Sequence, residues 1–307
     1  MLTAANEETA EIERIAVDFD RDGYALMPQL IQPEELDVLR EETAALVNGG
    51  FENKENPTDY MTAKNPQGAE ELFRVQYIFN KAPKNSLLIL LAQPFVLSVV
   101  QRLLGENFVC AAEALVFKKE GNGRAVSVHA DCDPADPRLS PLVFNVDYYL
   151  DDSNEENGCL WAAPGTHKLN LPYKEIAAKG FDFPGLIPVP VKAGDVLLHN
   201  VRTVHGSHQS QGKALRRTIY YEFQDMDAML KQNGPRPNFP MNDAFIRARF
   251  RLLLAAIDAR SKAPYAQNET PFAYHAPERF AAQYGVTPPT ADHPANLRPA
   301  LGYNAYI

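Results

Sequence analysis

Apolar residues recur at helical spacing near the start of the chain, at Ile12, Ile15, Ala16 and Phe19 among acidic neighbours. That pattern predicts an amphipathic helix from about Glu7 to Phe19, broken by Asp22-Gly23. Tyr24–Pro28 reads as a short strand. A second helix opens at Gln32-Pro33-Glu34-Glu35, with proline and acids in its first turn. Leu36, Leu39, Leu46 and Val47 form its apolar face, and Gly49-Gly50 stops it. Residues 51–70 are polar and read as a loop, Leu72–Phe79 as a strand, and Ser86–Leu104 as an apolar helix bent near Pro94.

From Phe108 the period shortens to that of strands. Eight are predicted: Phe108–Lys118, Ser127–Asp131, Leu142–Leu150, Cys159–Ala163, Ile187–Val191, Asp195–His199, Arg202–His205 and Leu215–Phe223. Gly121-Asn122-Gly123, Asp133-Pro134, Asn157-Gly158 and Ala193-Gly194-Asp195 supply turns between them. Eight short strands so punctuated predict a double-sheet jelly roll, a mainly β fold with flanking helices. Helix and coil return after Met226, with a helix over Ala244–Ser261. The expected organisation is a single domain over 1–307: 1–105 as N-terminal helices and first strands, 106–225 as the jelly-roll core, and 226–307 as an extension packed on it.

Composition narrows the class. The chain has 307 residues, 45% hydrophobic and 22% charged, with a net charge of −9. This balance argues against a nucleic-acid or anionic-membrane partner. Three cysteines, Cys110, Cys132 and Cys159, have no framework spacing and read as reduced thiols of a cytoplasmic protein. The acidic stretch Met1–Glu8 lacks the apolar region of a signal peptide, and no apolar run is long enough to span a bilayer.

The chemistry concentrates at Ser127-Val128-His129-Ala130-Asp131. Residues two apart on a strand face the same way, so the His129 imidazole and the Asp131 carboxylate can converge on one metal ion. His205, in a later strand-rich block, is available as a third ligand. Two histidines and one carboxylate on one face of a metal leave the other face open, as in the non-heme Fe(II) oxygenases.

Four stretches carry a family resemblance. They are Phe19–Tyr24 followed by Pro33–Leu36; Val128–Asp131; Leu150-Asp151-Asp152 through Asn157–Leu160 to Pro164–Lys168; and Gly194–His199 through His205-Gly206-Ser207 to Arg216. Together the sequence resembles the phytanoyl-CoA dioxygenase family of Fe(II)/2-oxoglutarate oxygenases over about residues 19–224. The resemblance implies a metal held inside a double-stranded β-helix by His129, Asp131 and His205, with 2-oxoglutarate and O2 as co-substrates. Where the family usually has Gln between the first two ligands, this chain has Ala130, which removes a side chain but no ligand. Related halogenases have a small residue in place of the carboxylate, so Asp131 favours oxygen transfer or desaturation.

The resemblance aligns Arg216 with the family's anchor for the distal carboxylate of 2-oxoglutarate, a role for which a guanidinium fork is suited. Arg217 competes for the role, since adjacent strand residues face opposite ways and only one can point inward; Thr218 would share the face of Arg216. Lys118 matches a family lysine near the co-substrate. Asn145, Asp147 and Tyr149 share one strand face, from which Asn145 or Tyr149 could touch 2-oxoglutarate. His199 reads as a packed, hydrogen-bonded histidine, and His167 and His208 as turn residues. Arg74, Gln76 and Trp161 are candidates for substrate contact.

The expected activity is oxidation of an unactivated C–H bond of a small molecule, with release of succinate and CO2. No basic cluster points to a CoA phosphate, so a natural-product or amino-acid-like substrate is expected. Two other readings stay open: a metal-dependent jelly-roll enzyme that does not use 2-oxoglutarate, and a non-catalytic small-molecule-binding jelly roll. The aromatic residues of the extension (Phe272, Tyr274, His275, Phe280, Tyr284, Tyr303 and Tyr306) could serve as a lid or a homodimer contact.

Overall fold

The computed structural model describes residues 4–49, 59–65, 67–81, 84–121, 123–132, 142–212, 214–231, 243–275 and 282. The turn at Asp133-Pro134 and the tail residues Phe280, Tyr284, Tyr303 and Tyr306 lie outside them. The helices are α1 (Ala4–Asp22), α2 (Pro33–Gly49), α3 (Ser86–Leu90), α4 (Pro94–Leu104), α5 (Tyr173–Lys179), α6 (Met226–Lys231) and α7 (Asp243–Arg260). The strands are β1 (Tyr24–Met27), β2 (Tyr60–Lys64), β3 (Glu70–Gln76), β4 (Phe108–Lys118), β5 (Val126–His129), β6 (Val143–Tyr149), β7 (Leu160–Ala162), β8 (Ile187–Val189), β9 (Val196–Asn200), β10 (His205–Ser207) and β11 (Arg216–Asp225). No helix among the described residues is long and apolar enough to cross a membrane.

The strands form two sheets, a larger one ordered β1-β9-β6-β11-β4-β3-β2 and a smaller one ordered β5-β10-β7-β8. The eight strands expected from the sequence are β4 to β11, and they divide four to each sheet, as a double-sheet jelly roll requires. β1 extends the larger sheet at one edge and the β2–β3 hairpin at the other.

The chain packs as two compact units. The first comprises Met1–Gln76, Ala114–Pro137 and Phe144–Tyr220. One of its apolar clusters joins Tyr149 and Leu197 of the larger sheet to Leu160, Ala162 and Val189 of the smaller one. Full burial of one such aliphatic side chain contributes about 1.5–3 kcal/mol. A second cluster, Val128, Ala130, Ala163, Ile176, Phe183 and Val204, lies where α5 meets β5.

The second unit comprises Tyr77–Glu113, Arg138–Val143 and Tyr221–Ile307. Its core joins Val109 and Ala111 to Met226, Met229, Phe245, Ile246, Phe250 and Leu254. Phe272 and Tyr274 of the C-terminal segment pack against Phe108, with ring centroids 6.3 and 5.1 Å away.

Several elements differ from their expected form. The polar stretch before residue 70 contains β2, an edge strand only partly buried, so it shows no clean apolar alternation. The strand expected to reach Phe79 ends at Gln76, because Tyr77 takes a left-handed conformation (φ 55°) and opens a 3-10 turn. The bent helix is two helices: Gln93 caps α4, its Oε1 accepting from Val96 N at 2.8 Å, and Pro94 takes the first helical position. The chain turns at Val201-Arg202 and bends at Thr203, so β10 starts at His205. Helix α5 was not anticipated; it has seven residues, and only Ile176 is buried.

Candidate metal and co-substrate site

The site lies within the first unit. β5 and β10 are antiparallel neighbours, and His129 stands directly opposite His205. Directly opposed residues share a face, and the two imidazole centroids are 4.4 Å apart. Asp131 follows two residues after His129, beyond the end of β5. One donor atom from each of His129, Asp131 and His205 lies within 4.8 Å of the others.

The hydrogen bonds around the three residues decide which atoms are free. His129 Nδ1 donates to Ser127 O at 2.7 Å, and His205 Nδ1 donates to Thr203 O at 2.9 Å. Each bond fixes the tautomer and leaves the Nε2 lone pair available. Both Nε2 atoms face Asp131 Oδ1, at 3.4 and 3.7 Å. The other carboxylate oxygen, Oδ2, lies 3.1 Å from His199 Nε2 and 3.2 Å from Asn145 Nδ2. His199 Nδ1 in turn lies 2.7 Å from Asp147 Oδ2.

The electrostatics separate the two imidazoles: burial lowers His129, but Asp131 and Ser127 O outweigh it and leave it above its ordinary value. Burial pushes the His205 imidazole down to about 3, so it is neutral at physiological pH, as a metal ligand must be. Desolvation raises Asp131, but His205, His129 and His199 outweigh it and hold the carboxyl well below its usual range. Burial depresses His199, yet Asp147 and Asp131 bring it up to about 10. Two neutral-capable imidazoles and an ionised carboxylate, with 31% of the Asp131 side chain still accessible, make a donor set that fits Fe(II) with open positions.

A second cluster is basic. Lys118 and Arg216 are 2% and 3% exposed, and among the described residues neither pairs with a carboxylate. Arg216 donates to Gly158 O, while its Nε is buried without a partner, and the Thr218 hydroxyl is buried beside that of Tyr220. Lys118 Nζ donates only to backbone carbonyls, those of His208 and Ser207. Burial and then the Arg216 charge push Lys118 down to about 6. Burying unpaired charge costs several kcal/mol, so the Arg216 guanidinium, with its unused Nε and the Lys118 amine beside it, suits the carboxylate of a small diacid such as 2-oxoglutarate. Burial also raises the Tyr149 hydroxyl, which lies among Tyr220, Asp147 and Arg216.

Other candidates fall elsewhere. Arg217 points away from Arg216 and binds Asp151 through two nitrogens, at 2.8 and 2.9 Å, and Arg40 O at 2.9 Å. Trp161 pairs with Gly206 while its neighbour Ala162 pairs with His205, so Trp161 stands on the sheet face opposite the triad. There its ring meets His208, which stacks on Phe181 at 3.8 Å. Arg74 and Gln76 pair with Val116 and Ala114 and therefore share the face of Lys118. Gln76 Nε2 contacts Met61 Sδ at 2.7 Å. His167 bonds Asp20 O at 3.1 Å, in a 3-10 turn. Sequence reasoning placed Asn145 on the correct face but did not assign Asp147 or His199 to the metal environment. Asn145 and His199 meet because β6 and β9 pair with these two residues in register, which no local pattern encodes.

Residues 19–218 match the family model of phytanoyl-CoA dioxygenase (PhyH). A zebrafish (Danio rerio) phytanoyl-CoA dioxygenase domain-containing protein 1 is 24% identical, covering 68% of this chain and 88% of its own. The crystal structure of AviO1 from Streptomyces viridochromogenes Tue57 superposes with a TM-score of 0.58 at 30% identity, over 76% of this chain and all of that one. That of EctD from S. alaskensis with bound Fe has a TM-score of 0.60 at 22% identity, over 72% of this chain and 79% of that one, a likeness of fold.

Proposed function

The chain belongs to the phytanoyl-CoA dioxygenase family of iron- and 2-oxoglutarate-dependent oxygenases, and from that premise we propose that it hydroxylates an unactivated C–H bond of a small organic molecule. His129 Nε2, Asp131 Oδ1 and His205 Nε2 hold Fe(II). Arg216 and Thr218 receive the distal carboxylate of 2-oxoglutarate, and Lys118 adds a proton-bearing amine beside it. The bound iron, 2-oxoglutarate and O2 supply the oxidation: R–H becomes R–OH, and 2-oxoglutarate becomes succinate and CO2. The protein's own residues bind and orient. The Nδ1 bonds to Ser127 O and Thr203 O aim both imidazoles, and the burial of Arg216 and Thr218 keeps water from the far end of the co-substrate. Arg74 and Gln76, on the face shared with Lys118, are the side chains we assign to substrate contact.

The observation that carries the reading is the presence, in one unit with the open triad, of a buried Arg216 and Lys118 that pair with no carboxylate among the described residues. The test is anaerobic titration of the Fe(II)-loaded protein with 2-oxoglutarate, following the visible charge-transfer band of the chelate. The band is expected in the wild type and weakened in Arg216→Ala. Bound iron without any band would remove 2-oxoglutarate from the reaction and favour a metal enzyme of another class.

A further inference from the structure

We propose that His199, held by Asp147, is a positioning residue that selects which oxygen of Asp131 faces the metal. The inference rests on the reading of Asp131 as a ligand. Of the three ligands, Asp131 is the one without a strand to hold it: β5 ends at His129, and its ladder with β10 pairs only His129 and Val126. A carboxylate so placed can turn about its own axis and present either oxygen, or both, to a metal. Both would occupy a position that the co-substrates need.

The larger sheet supplies the restraint. Asn145 of β6 and His199 of β9 are directly paired, and both direct a nitrogen to the same atom, Asp131 Oδ2, at 3.2 and 3.1 Å. With Oδ2 so engaged, Oδ1 is left to the two imidazole Nε2 atoms, at 3.4 and 3.7 Å. Asp147 completes the device. It is fully buried, two residues from Asn145 on the same face, and its Oδ2 receives His199 Nδ1 at 2.7 Å. The ring stands between the two carboxylates, with Nδ1 toward Asp147 and Nε2 toward Asp131 and the Asn145 amide, and these contacts set the ring plane. His199 touches neither metal nor substrate in this scheme; it acts through Asp131.

The test is Co(II) binding to the metal-free protein, read as a dissociation constant and as the visible d–d band. Loss of an outer partner of a ligand typically weakens metal binding about 10–100-fold. His199→Phe is expected to lose affinity on that scale and to change the band shape, because the freed carboxylate binds through both oxygens. His199→Gln, which keeps a donor toward Oδ2, is expected to restore the wild-type band. Asp147→Asn is expected to weaken binding in the wild-type background and to add nothing in the His199→Gln background. Wild-type affinity and band in His199→Phe would overturn the proposal, as would an Asp147→Asn loss of equal size in both backgrounds. Should His199→Phe fail to fold, Asn145→Leu removes the other donor to Oδ2, and unchanged Co(II) binding in both Asn145→Leu and Asp147→Asn would overturn it equally. Failure of the ligand reading looks different: Co(II) would bind Asp131→Ala as well as it binds the wild type.

Discussion

Arg216 and Arg217 are neighbours that do opposite work. Arg217 is a clamp: its guanidinium ties Asp151 to the Arg40 carbonyl of α2. Hydrogen bonds to charged groups are worth about 1.5–3 kcal/mol each, so Arg217→Ala is expected to lose about 2–3 kcal/mol in urea denaturation while 2-oxoglutarate affinity stays unchanged. Lys118 carries a pH dependence. Its amine falls from an ordinary 10.5 to about 6 in the folded chain. Between those two values the unfolded chain binds a proton that the native chain does not, so stability rises with pH across the window and is lowest below about 6. Lys118→Met is expected to abolish that rise, as seen by comparing urea midpoints at pH 6 and pH 9 in the metal-free protein.

At the level of elements, the site depends on where strands end and how they pair. β10 begins only at His205, and that start puts His205 opposite His129. The loop before β7 matters for a different reason. Gly158 has φ +74°, and a Cβ there would collide with His208 O and sit 2.9 Å from Lys118 Nζ. Its carbonyl also receives Arg216. Gly158→Ala is therefore expected to strain the loop by about 1–3 kcal/mol and to weaken 2-oxoglutarate binding at least as much as it lowers the melting temperature, both measurable on one purified sample.

For the whole molecule, the site is a store of stability that only ligands release. Arg216 is buried with no carboxylate partner among the described residues, and two imidazole nitrogens converge on one oxygen of Asp131. A ligand at 100 times its Kd stabilises the native state by about 2.7 kcal/mol. Fe(II) with 2-oxoglutarate, kept anaerobic, is expected to raise Tm by several degrees. The shift should vanish on chelation and be absent in His129→Ala.

Much of this was legible in the sequence because it is local. The change of apolar period at Phe108 marks the start of the jelly-roll strands, and His129 and Asp131 are two residues apart. The alternation Asn145, Asp147, Tyr149 sorts a strand face without any partner strand, since a pleat alone fixes which side chains share a side. Strand identity and candidate ligands were therefore set by residue type and spacing. What only the tertiary structure decided are the pairings between distant segments. β6 lies beside β9 in a register that puts Asn145 against His199, and both reach Asp131 from the opposite sheet. β7 lies beside β10 in a register that turns Trp161 away from the triad. Cross-strand register depends on how whole sheets bury their apolar faces, and a shift of one residue reverses every side chain, so no single stretch of the chain contains that information.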